Sequence, residues 1–202
     1  MKKQLALFLA LLLLLSCLAG CSAAVQQEQK PTRPFTDSCG RTVEVPEKIE
    51  HIVPSGALAQ IVLYTVCPEK LQSWAAALTK TQKKYIPEQY WDLPVTGQYY
   101  GGSATFNLEE VLSSAPDVIV DVGERKDGIA DDMAQLQEAT GIPCVFIEGS
   151  LDTMEEAYRL LGELTGDTEQ ANACADYIGQ TLREAAEKTA QIPENKRMRV
   201  LY

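Results

Sequence analysis

Histidine is nearly absent from this 202-residue chain, which contains one, and basic residues are outnumbered, with 18 Lys and Arg against 28 Asp and Glu. A net charge of -10 argues against a nucleic-acid partner, because affinity for a phosphate backbone depends on clustered Lys and Arg. The apolar fraction of 46% is ordinary for a globular protein with one core. We therefore expect a globular protein that does not bind nucleic acid.

Motifs for common catalytic chemistry are also missing. The chain has no G-x-S-x-G, no G-x-x-x-x-G-K-[ST] and no G-x-G-x-x-G sequence. Its single histidine, His51, falls inside a predicted strand, where it is poorly placed to act as a base. Direct ligation of zinc or manganese needs several converging His and carboxylate side chains. We predict a protein that is not an enzyme and has neither a cofactor nor a metal ion ligated by its side chains.

The amino-terminal residues predict export. Lys2 and Lys3 precede an uncharged apolar run at 5–15, followed by small residues, as in a secretory signal at 1–20. The apolar run is too short to span a bilayer comfortably. We therefore exclude this segment from the predicted fold.

The end of this signal is similar to a bacterial lipobox. Leu18-Ala19-Gly20-Cys21 has the small residues and the cysteine of that motif, whose cysteine is lipidated and becomes the mature amino terminus. The resemblance implies lipidation of Cys21 and attachment to the cell membrane on its extracytoplasmic side; an ordinary signal with a chance cysteine is the alternative. The polar, proline-containing stretch at 21–34 suits a tether.

The cysteines after the lipobox do not form a dense disulfide framework. Disulfides are permitted outside the cytosol, but these residues include no C-x-x-C pair. Cys144 borders a predicted strand and Cys174 lies on a predicted helix face, which favours roles as small buried apolar groups. The sequence leaves open the disulfide state of Cys39, Cys67, Cys144 and Cys174.

Hydrophobic periodicity in the first half predicts a hairpin, a strand and a helix. Residues 35–46 suit a hairpin and residues 49–53 a buried strand. Helical spacing then places on one predicted apolar face Leu58, Ile61, Val62 and Thr65. The stretch at 71–102 is aromatic and rich in loops.

The second half alternates strands with helices. Asn107 is predicted to cap a helix, with Glu110 at the N3 position and Phe106 packing on Val111. Strands are predicted at 118–122 and 144–147, and the helix between them presents Ile129, Met133, Leu136 and Thr140, ending at Gly141. A helix capped by Asp152 presents Ala157, Leu160, Leu161 and Leu164. This alternation predicts a parallel α/β sheet that binds ligands at the carboxyl ends of its strands.

A long helix is predicted next. It begins after Asp167 and runs from Thr168 to Ala190, which is about 34 Å of helix. Its predicted apolar face contains Ala171, Cys174, Ile178, Leu182 and Ala185. Residues 199–202 read as the opening of another strand, from which we expect the chain to be the amino-terminal part of a longer protein.

Four stretches together resemble the N-terminal lobe of the extracytoplasmic substrate-binding proteins of ABC importers for iron-siderophores, haem and cobalamin. They are the hairpin DSCGRTVEVP at 37–46, the strand and turn IVPS at 52–55, the segment 107–120, and the long helix. The resemblance implies a Rossmann-like α/β lobe at 35–166 with a parallel sheet flanked by helices. It further implies an interlobe helix at 167–192 and the start of a second, missing lobe at 193–202.

The family resemblance also implies a function. A member of this family captures its ligand between two lobes and delivers it to an ABC permease with its ATPase. Here the absence of protein metal ligands favours a pre-formed ferric siderophore-type complex, bound by a lipid-anchored monomer. Cobalamin or haem in the same transport role is the alternative, as is a sensor or adhesin that reuses the lobe.

Candidate site residues follow from the family, whose ligand contacts lie in the turns after the sheet strands. This implies ligand contacts by Ser55, Gly56, Trp74, Tyr99, Tyr100 and Arg125. Free backbone N–H groups at a helix amino terminus suit a polar or anionic ligand group, and Arg125 suits a cluster of oxygens. The family's glutamate that pairs with basic permease residues corresponds to Glu109.

Overall fold

A β-hairpin opens the described part of the chain. The computed structural model describes residues 30–100 and 105–199, and its elements belong to one compact unit that begins at Thr32. Strand β1, Thr32–Thr36, pairs antiparallel with β2, Thr42–Pro46. Alternation along the two strands buries one face, which contributes to the core Phe35, Val43 and Val45.

A parallel three-stranded sheet lies at the centre of the unit. Its strands are β3, Ile52–Pro54, β4, Val118–Gly123, and β5, Cys144–Glu148, and they lie side by side in that order. The hairpin is attached to this sheet by a hydrogen bond of 2.9 Å from the Ser38 N–H to the Phe146 carbonyl. The predicted parallel α/β architecture is confirmed.

Both faces of the sheet are covered, so each strand contributes to two apolar clusters. In β4, Val118, Val120 and Val122 join one cluster while Ile119 joins the other. In β5, Phe146 belongs to the second cluster, while its neighbours Val145 and Ile147 belong to the first. This arrangement explains why both strands are almost continuously apolar, as strands buried on both faces are.

The first helix packs on the sheet by a face different from the predicted one. Helix α1, Ala57–Val66, buries Ala59, Gln60, Val62, Leu63 and Val66. Leu58 and Ile61, which were predicted to be buried, are 39% and 57% exposed. Both helix faces carry large apolar residues, so periodicity alone did not identify the one that contacts the sheet.

Short 3-10 turns and one short helix connect the first strand–helix unit to β4. The turns are Pro68–Lys70, Gln82–Lys84 and Glu88–Tyr90, as expected of a loop-rich stretch. Helix α2, Leu108–Ser113, begins at the predicted cap. The Asn107 side chain there accepts hydrogen bonds from the backbone N–H groups of Glu109 and Glu110.

Two further helices follow the strands as predicted. Helix α3, Ile129–Thr140, buries Ile129, Met133 and Leu136 and ends at Gly141 in the left-handed conformation. Helix α4, Met154–Thr165, begins one residue later than expected, because its cap position is Thr153 and not Asp152. The Thr153 hydroxyl contacts the preceding turn, where it accepts a hydrogen bond from the Ser150 N–H at 2.9 Å.

The long helix has the predicted bounds but buries a different face. Helix α5, Thr168–Ala190, packs against α4 through Ala171, Ala175 and Gly179. Cys174, Ile178 and Leu182 are half-buried, and Ala185 is exposed. Small residues face α4 because the two backbones approach closely, and the last two turns of α5 are exposed on all sides.

Two strand boundaries differ from the sequence prediction. Strand β1 begins at Thr32, within the predicted tether, since Thr32 pairs with Pro46. Strand β3 begins at Ile52, so His51 is exposed and lies just outside the strand. After α5 the chain makes a 3-10 turn at Glu194–Lys196. The predicted signal peptide and lipidated Cys21 lie outside the described residues, as does the predicted final strand beyond Arg199.

We predict that the α4–α5 contact tolerates no added methyl group at Gly162. A Cβ there would lie 2.7 Å from the Ala171 Cβ and 3.2 Å from the Thr168 Cα, so backbone must move. At Gly179 an added Cβ would meet the ends of two flexible side chains, the Glu155 carboxylate and the Arg183 guanidinium. Both changes to Ala gain the same helix propensity, so the Gly162→Ala protein should be less stable than Gly179→Ala by about 1–3 kcal/mol.

Urea unfolding of the two variants measures this difference directly. Equal free energies of unfolding would show that the helices separate without cost, contrary to this description of their packing.

Candidate functional site

A cavity of about 190 Å³ lies at the carboxyl ends of β3 and β4. Its walls come from the turn after β3, the first turn of α1, the end of β4 and the loop before α3. The lining side chains include Ser55, Tyr100, Asp121, Glu124 and Lys126. This is the position where open parallel sheets bind ligands, because the strand ends and the helix amino termini converge there.

A buried hydrogen bond forms the floor of this cavity. The Ser55 hydroxyl donates to the Asp121 carboxylate, and both residues are almost fully buried. The Ser55 N–H also donates to the Val120 carbonyl at 3.0 Å, which fixes the turn against β4. Burial raises the pKa of Asp121, while the Ser55 hydrogen bond and the positive charge of Lys126 oppose that increase.

The tyrosine pair forms one wall of the cavity. The Tyr99 N–H donates to the Ser55 carbonyl at 2.8 Å, which attaches the loop to the turn after β3. The ring centroids of Tyr99 and Tyr100 lie 4.8 Å apart in an edge-to-face arrangement, and Phe106 packs on Tyr99 at 5.6 Å. The two tyrosines are therefore held in place before any ligand is present.

One glycine makes this loop possible. Gly97 has a φ of 84°, and a Cβ at this position would overlap the Thr105 carbonyl oxygen of the returning chain. The two segments are hydrogen-bonded next to Gly97, since the Thr105 N–H donates to the Gln98 carbonyl at 3.0 Å. A residue with a side chain cannot adopt this arrangement without moving the backbone.

The Tyr100 hydroxyl is buried and has no hydrogen-bond partner among the described residues. Burial raises the pKa of Tyr100 far above its ordinary value, and the nearby carboxylates of Asp121 and Asp132 raise it further. The hydroxyl therefore keeps its proton at neutral pH. It is a buried hydrogen-bond donor on a tyrosine that lines the cavity.

Positive charge at the cavity comes from Lys126 and the amino terminus of α1. The Lys126 ammonium lies 5.8 Å from the centroid of the Tyr100 ring. Helix α1 has Gly56 at its cap, no capping side chain and no acidic residue in its first turn. Its first N–H groups are thus left for an acceptor from outside the helix.

The structure brings together four of the six residues predicted to contact a ligand: Ser55, Gly56, Tyr99 and Tyr100. Tyr99 lies behind Tyr100, because the cavity lining includes only the second tyrosine. Trp74 is 1% exposed, and its indole N–H donates to the Tyr90 carbonyl at 2.7 Å. Arg125 pairs with Glu148 at 3.3 Å outside the cavity. In this structure Trp74 has a packing role and Arg125 an ion-pair role.

Two residues of the cavity were not singled out from the sequence. Asp121 lies in an apolar strand. A charged residue within such a strand is unusual, and this signal in the sequence could have identified Asp121 as a site residue. Lys126 belongs to the charged turn after β4, which was expected to contact ligand through Arg125, and the fold places Lys126 in the cavity lining instead.

Glu109 lies on a surface that is separate from the cavity. It is exposed in the first turn of α2, and its N–H donates to the Asn107 side chain at 3.1 Å. Two exposed apolar residues flank it on the same short helix, Leu108 at 41% and Leu112 at 50%. A carboxylate flanked by apolar side chains is a surface suited to contact with another protein.

The described thiols and acids indicate neither a reactive cysteine nor a metal site. Cys39, Cys67, Cys144 and Cys174 are free, and burial raises the pKa of Cys67 and of Cys144 to about 12. Among residues 30–100 and 105–199, no cluster of three or more His, Cys, Asp or Glu side chains could hold a metal ion. Within the same ranges, no helix is long and apolar enough to cross a membrane.

Comparison with known proteins identifies similar sequences and structures. Residues 64–202 match the periplasmic binding protein family. A search of curated proteins finds no match. Among solved structures, an ABC transporter solute binding protein from Sulfurospirillum deleyianum is 25% identical with a TM-score of 0.72, over 82% of this chain and 52% of that one.

Two other solved structures share the fold at lower identity. The molybdate periplasmic binding protein MolA of Haemophilus influenzae, bound to molybdate, is 16% identical with a TM-score of 0.60, over 83% of this chain and 56% of that one. Staphylococcus aureus SirA complexed with staphyloferrin B is 21% identical with a TM-score of 0.50, over 70% and 45%. The chain thus spans about half the length of the structures it matches.

We predict that Asp121 makes stability depend on pH in the direction opposite to an ordinary salt-bridged carboxyl. Its folded pKa lies above its unfolded value, so its contribution to stability is complete below the unfolded pKa of about 3.9 and is lost as pH rises through the folded pKa. The Asp121→Asn protein keeps an acceptor for Ser55 without the charge.

Unfolding free energies of both proteins between pH 4 and pH 7 test this prediction. The variant should gain stability relative to the wild type as the pH rises, and a difference that is constant across this range would contradict a raised pKa of Asp121.

Proposed function

The chain belongs to the periplasmic binding protein family, and on this basis we propose that it captures a ferric siderophore-type complex and delivers it to an ABC permease with its ATPase. Proteins of this family deliver small ligands to ABC permeases from the extracytoplasmic side. We further propose that the protein acts without catalysis, as a monomer, and that a lipid on Cys21 anchors it to the cell membrane.

The observation that carries the proposed ligand is the set of donors at the cavity. Tyr100, Lys126 and the first residues of α1 line one space, and they carry a protonated hydroxyl, an ammonium group and N–H groups that no helix carbonyl accepts. A ferric chelate presents carboxylate, catecholate or hydroxamate oxygens, which accept hydrogen bonds and attract positive charge. Since the chelate supplies every ligand of its iron, the protein needs no metal-binding side chains.

SirA bound to staphyloferrin B supports a chelate as the kind of ligand that this fold holds, and MolA bound to molybdate supports an oxyanion. The two ligands share an oxygen-rich, anionic surface that would suit the same donors. We favour the chelate because the cavity is open to solvent, whereas a small oxyanion needs a closely fitted enclosure.

We expect the complete gene product to bind a ferric siderophore saturably, and Tyr100→Phe to weaken binding about 3–10-fold by removing one donor. The same change should leave the unliganded protein at least as stable, since it removes a buried hydroxyl that lacks a partner. Tyr177→Phe, at an exposed tyrosine on α5, is the matched control.

Fluorescence titration with ferric siderophores, haem, cobalamin and molybdate measures these affinities, and urea unfolding measures stability. Saturable binding of haem, cobalamin or molybdate alone would replace the proposed ligand. Absence of any response would reject the proposal for this cavity.

We expect Glu109→Lys to reduce ligand transport at least tenfold without changing ligand affinity, because it reverses the charge offered to basic permease residues. Glu156→Lys is the control, since Glu156 is also exposed in the first turn of a helix, α4, where a lysine meets the same unfavourable helix dipole. Uptake of ⁵⁵Fe-labelled chelate by cells that express each variant is the measurement. Equal uptake by the two variants would show that Glu109 does not take part in docking.

A further inference from the structure

Three lysines cluster on one short turn in the loop-rich stretch between β3 and β4. Lys80, Lys83 and Lys84 are spaced i, i+3 and i+4, a spacing that a helical turn places on one face. The turn is helical here, since the Lys83 N–H donates to the Thr79 carbonyl at 3.0 Å and Gln82–Lys84 form a 3-10 turn. Like charges at these spacings repel one another, so the cluster costs the protein stability while nothing anionic covers it.

The protein's own acids do not neutralise this cluster. Among residues 30–100 and 105–199, no acid forms an ion pair with any of the three lysines, although Glu88 and Asp92 lie in the same loop. Every other Lys or Arg from Arg33 to Lys188, except Lys126 in the cavity, forms an ion pair or donates to backbone carbonyls. In a chain with 28 acidic residues against 18 basic ones, this turn is therefore an exception.

An exposed aromatic ring adjoins the lysines. Tyr85 follows Lys84 directly and is 82% exposed. The Lys83 ammonium lies 5.1 Å from the centroid of the Trp91 ring, and the Trp91 indole N–H donates to the Ile86 carbonyl at 2.7 Å, which fixes the base of the turn. Ammonium groups attract lipid phosphates, and an amphipathic ring suits the boundary between headgroups and acyl chains. We name the surface formed by residues 80 and 83–85 the lysine patch.

The chain enters the compact unit on the side where this loop begins. Arg33, beside the first residue of the unit, and Lys70, beside the start of the loop, line the same groove. The chain from Cys21 to Thr32 can span at most about 40 Å. A lipid on Cys21 would thus keep the unit near a bilayer, where anionic lipids repel a chain of net charge -10 except at a basic surface.

We propose that the lysine patch binds the anionic surface of a lipid bilayer and so orients the anchored lobe on the membrane. The inference rests on the proposed lipid anchor and extends it, because the lipid holds the protein at the membrane and the patch selects the face that lies on it. Each lysine near such a surface favours binding about fivefold, which is too weak to recruit the protein alone but sufficient to orient a tethered one.

The first experiment uses the complete gene product from residue 22 onward, captured by an amino-terminal histidine tag on vesicles that contain nickel-chelating lipid. Acetic anhydride modifies the accessible lysines, and mass spectrometry gives the rate at each one. Adding about 30% phosphatidylglycerol to phosphatidylcholine vesicles should slow the modification of Lys80 and Lys84 at least fivefold, and about 0.5 M salt should abolish this protection. Lys188 on α5, with its side chain 79% exposed, should react equally on both vesicles.

The second experiment compares two variants of equal net charge by flotation of the untagged protein with phosphatidylglycerol-containing vesicles. The patch variant combines Lys80→Gln, Lys83→Gln and Lys84→Gln. The control variant removes three exposed, scattered lysines by Lys48→Gln, Lys188→Gln and Lys196→Gln. The patch variant should bind at least tenfold more weakly than the wild type, and the control should lose less than about threefold.

Unchanged acetylation of Lys80 and Lys84 on anionic vesicles, or equal flotation of the two variants, would overturn the proposal. Equal binding to vesicles of pure phosphatidylcholine would show that the contact is not electrostatic and would overturn it as well. Binding of soluble dextran sulfate without binding of vesicles would assign the patch to a partner other than a bilayer. Because the tag replaces the native anchor, a native protein without lipid on Cys21 would reject the proposed anchor without altering these results.

Discussion

The hydrogen bond between the Ser55 hydroxyl and the Asp121 carboxylate joins the turn after β3 to the end of β4, and the whole cavity is arranged around it. The Ser55 backbone donates to Val120 and accepts from Tyr99, so three segments of the chain meet at this one residue. A carboxylate here is costly to bury, and the hydroxyl and Lys126 offset part of that cost. The polar floor thus requires a rigid turn, and the rigid turn positions the tyrosines.

The same strand ends explain why polar and apolar surfaces meet at the site. Successive residues of β4 point to opposite faces of the sheet, so Asp121 faces the side of Tyr100 while Val122 faces the side of Gly149 and α4. The cavity lies at the end of the strand, where residues of both sides, Asp121 and Val122, line it. Strand geometry thus gives the cavity polar and apolar groups side by side.

The pattern of the sequence predicted most of the architecture, because strands buried on both faces and well-capped helices have strong local signals. Asn107 capped its helix as expected, and α5 had the predicted bounds. The faces of α1 and α5 were predicted incorrectly, because Leu58 and Ile61 are as apolar as the residues that contact the sheet. Alanine and glycine gave little signal on α5, although close helix packing requires them.

The site was harder to predict than the fold, since it depends on which side chains converge from distant parts of the chain. Turns after strands identified Ser55, Gly56 and Tyr100, but an aromatic residue in a loop does not reveal whether it packs inward, as Trp74 does.

The exposed half of α5 has a mechanical consequence. Packed on α4 as far as Gly179 and joined to it again by the Arg183–Glu155 ion pair at 3.3 Å, it is a cantilever whose arm beyond Arg183 is about 10 Å long, so a tilt of about 5° at the anchored end displaces the tip by roughly 0.9 Å. Small changes in packing beneath Ala171 and Ala175 are therefore magnified at the carboxyl-terminal end of α5.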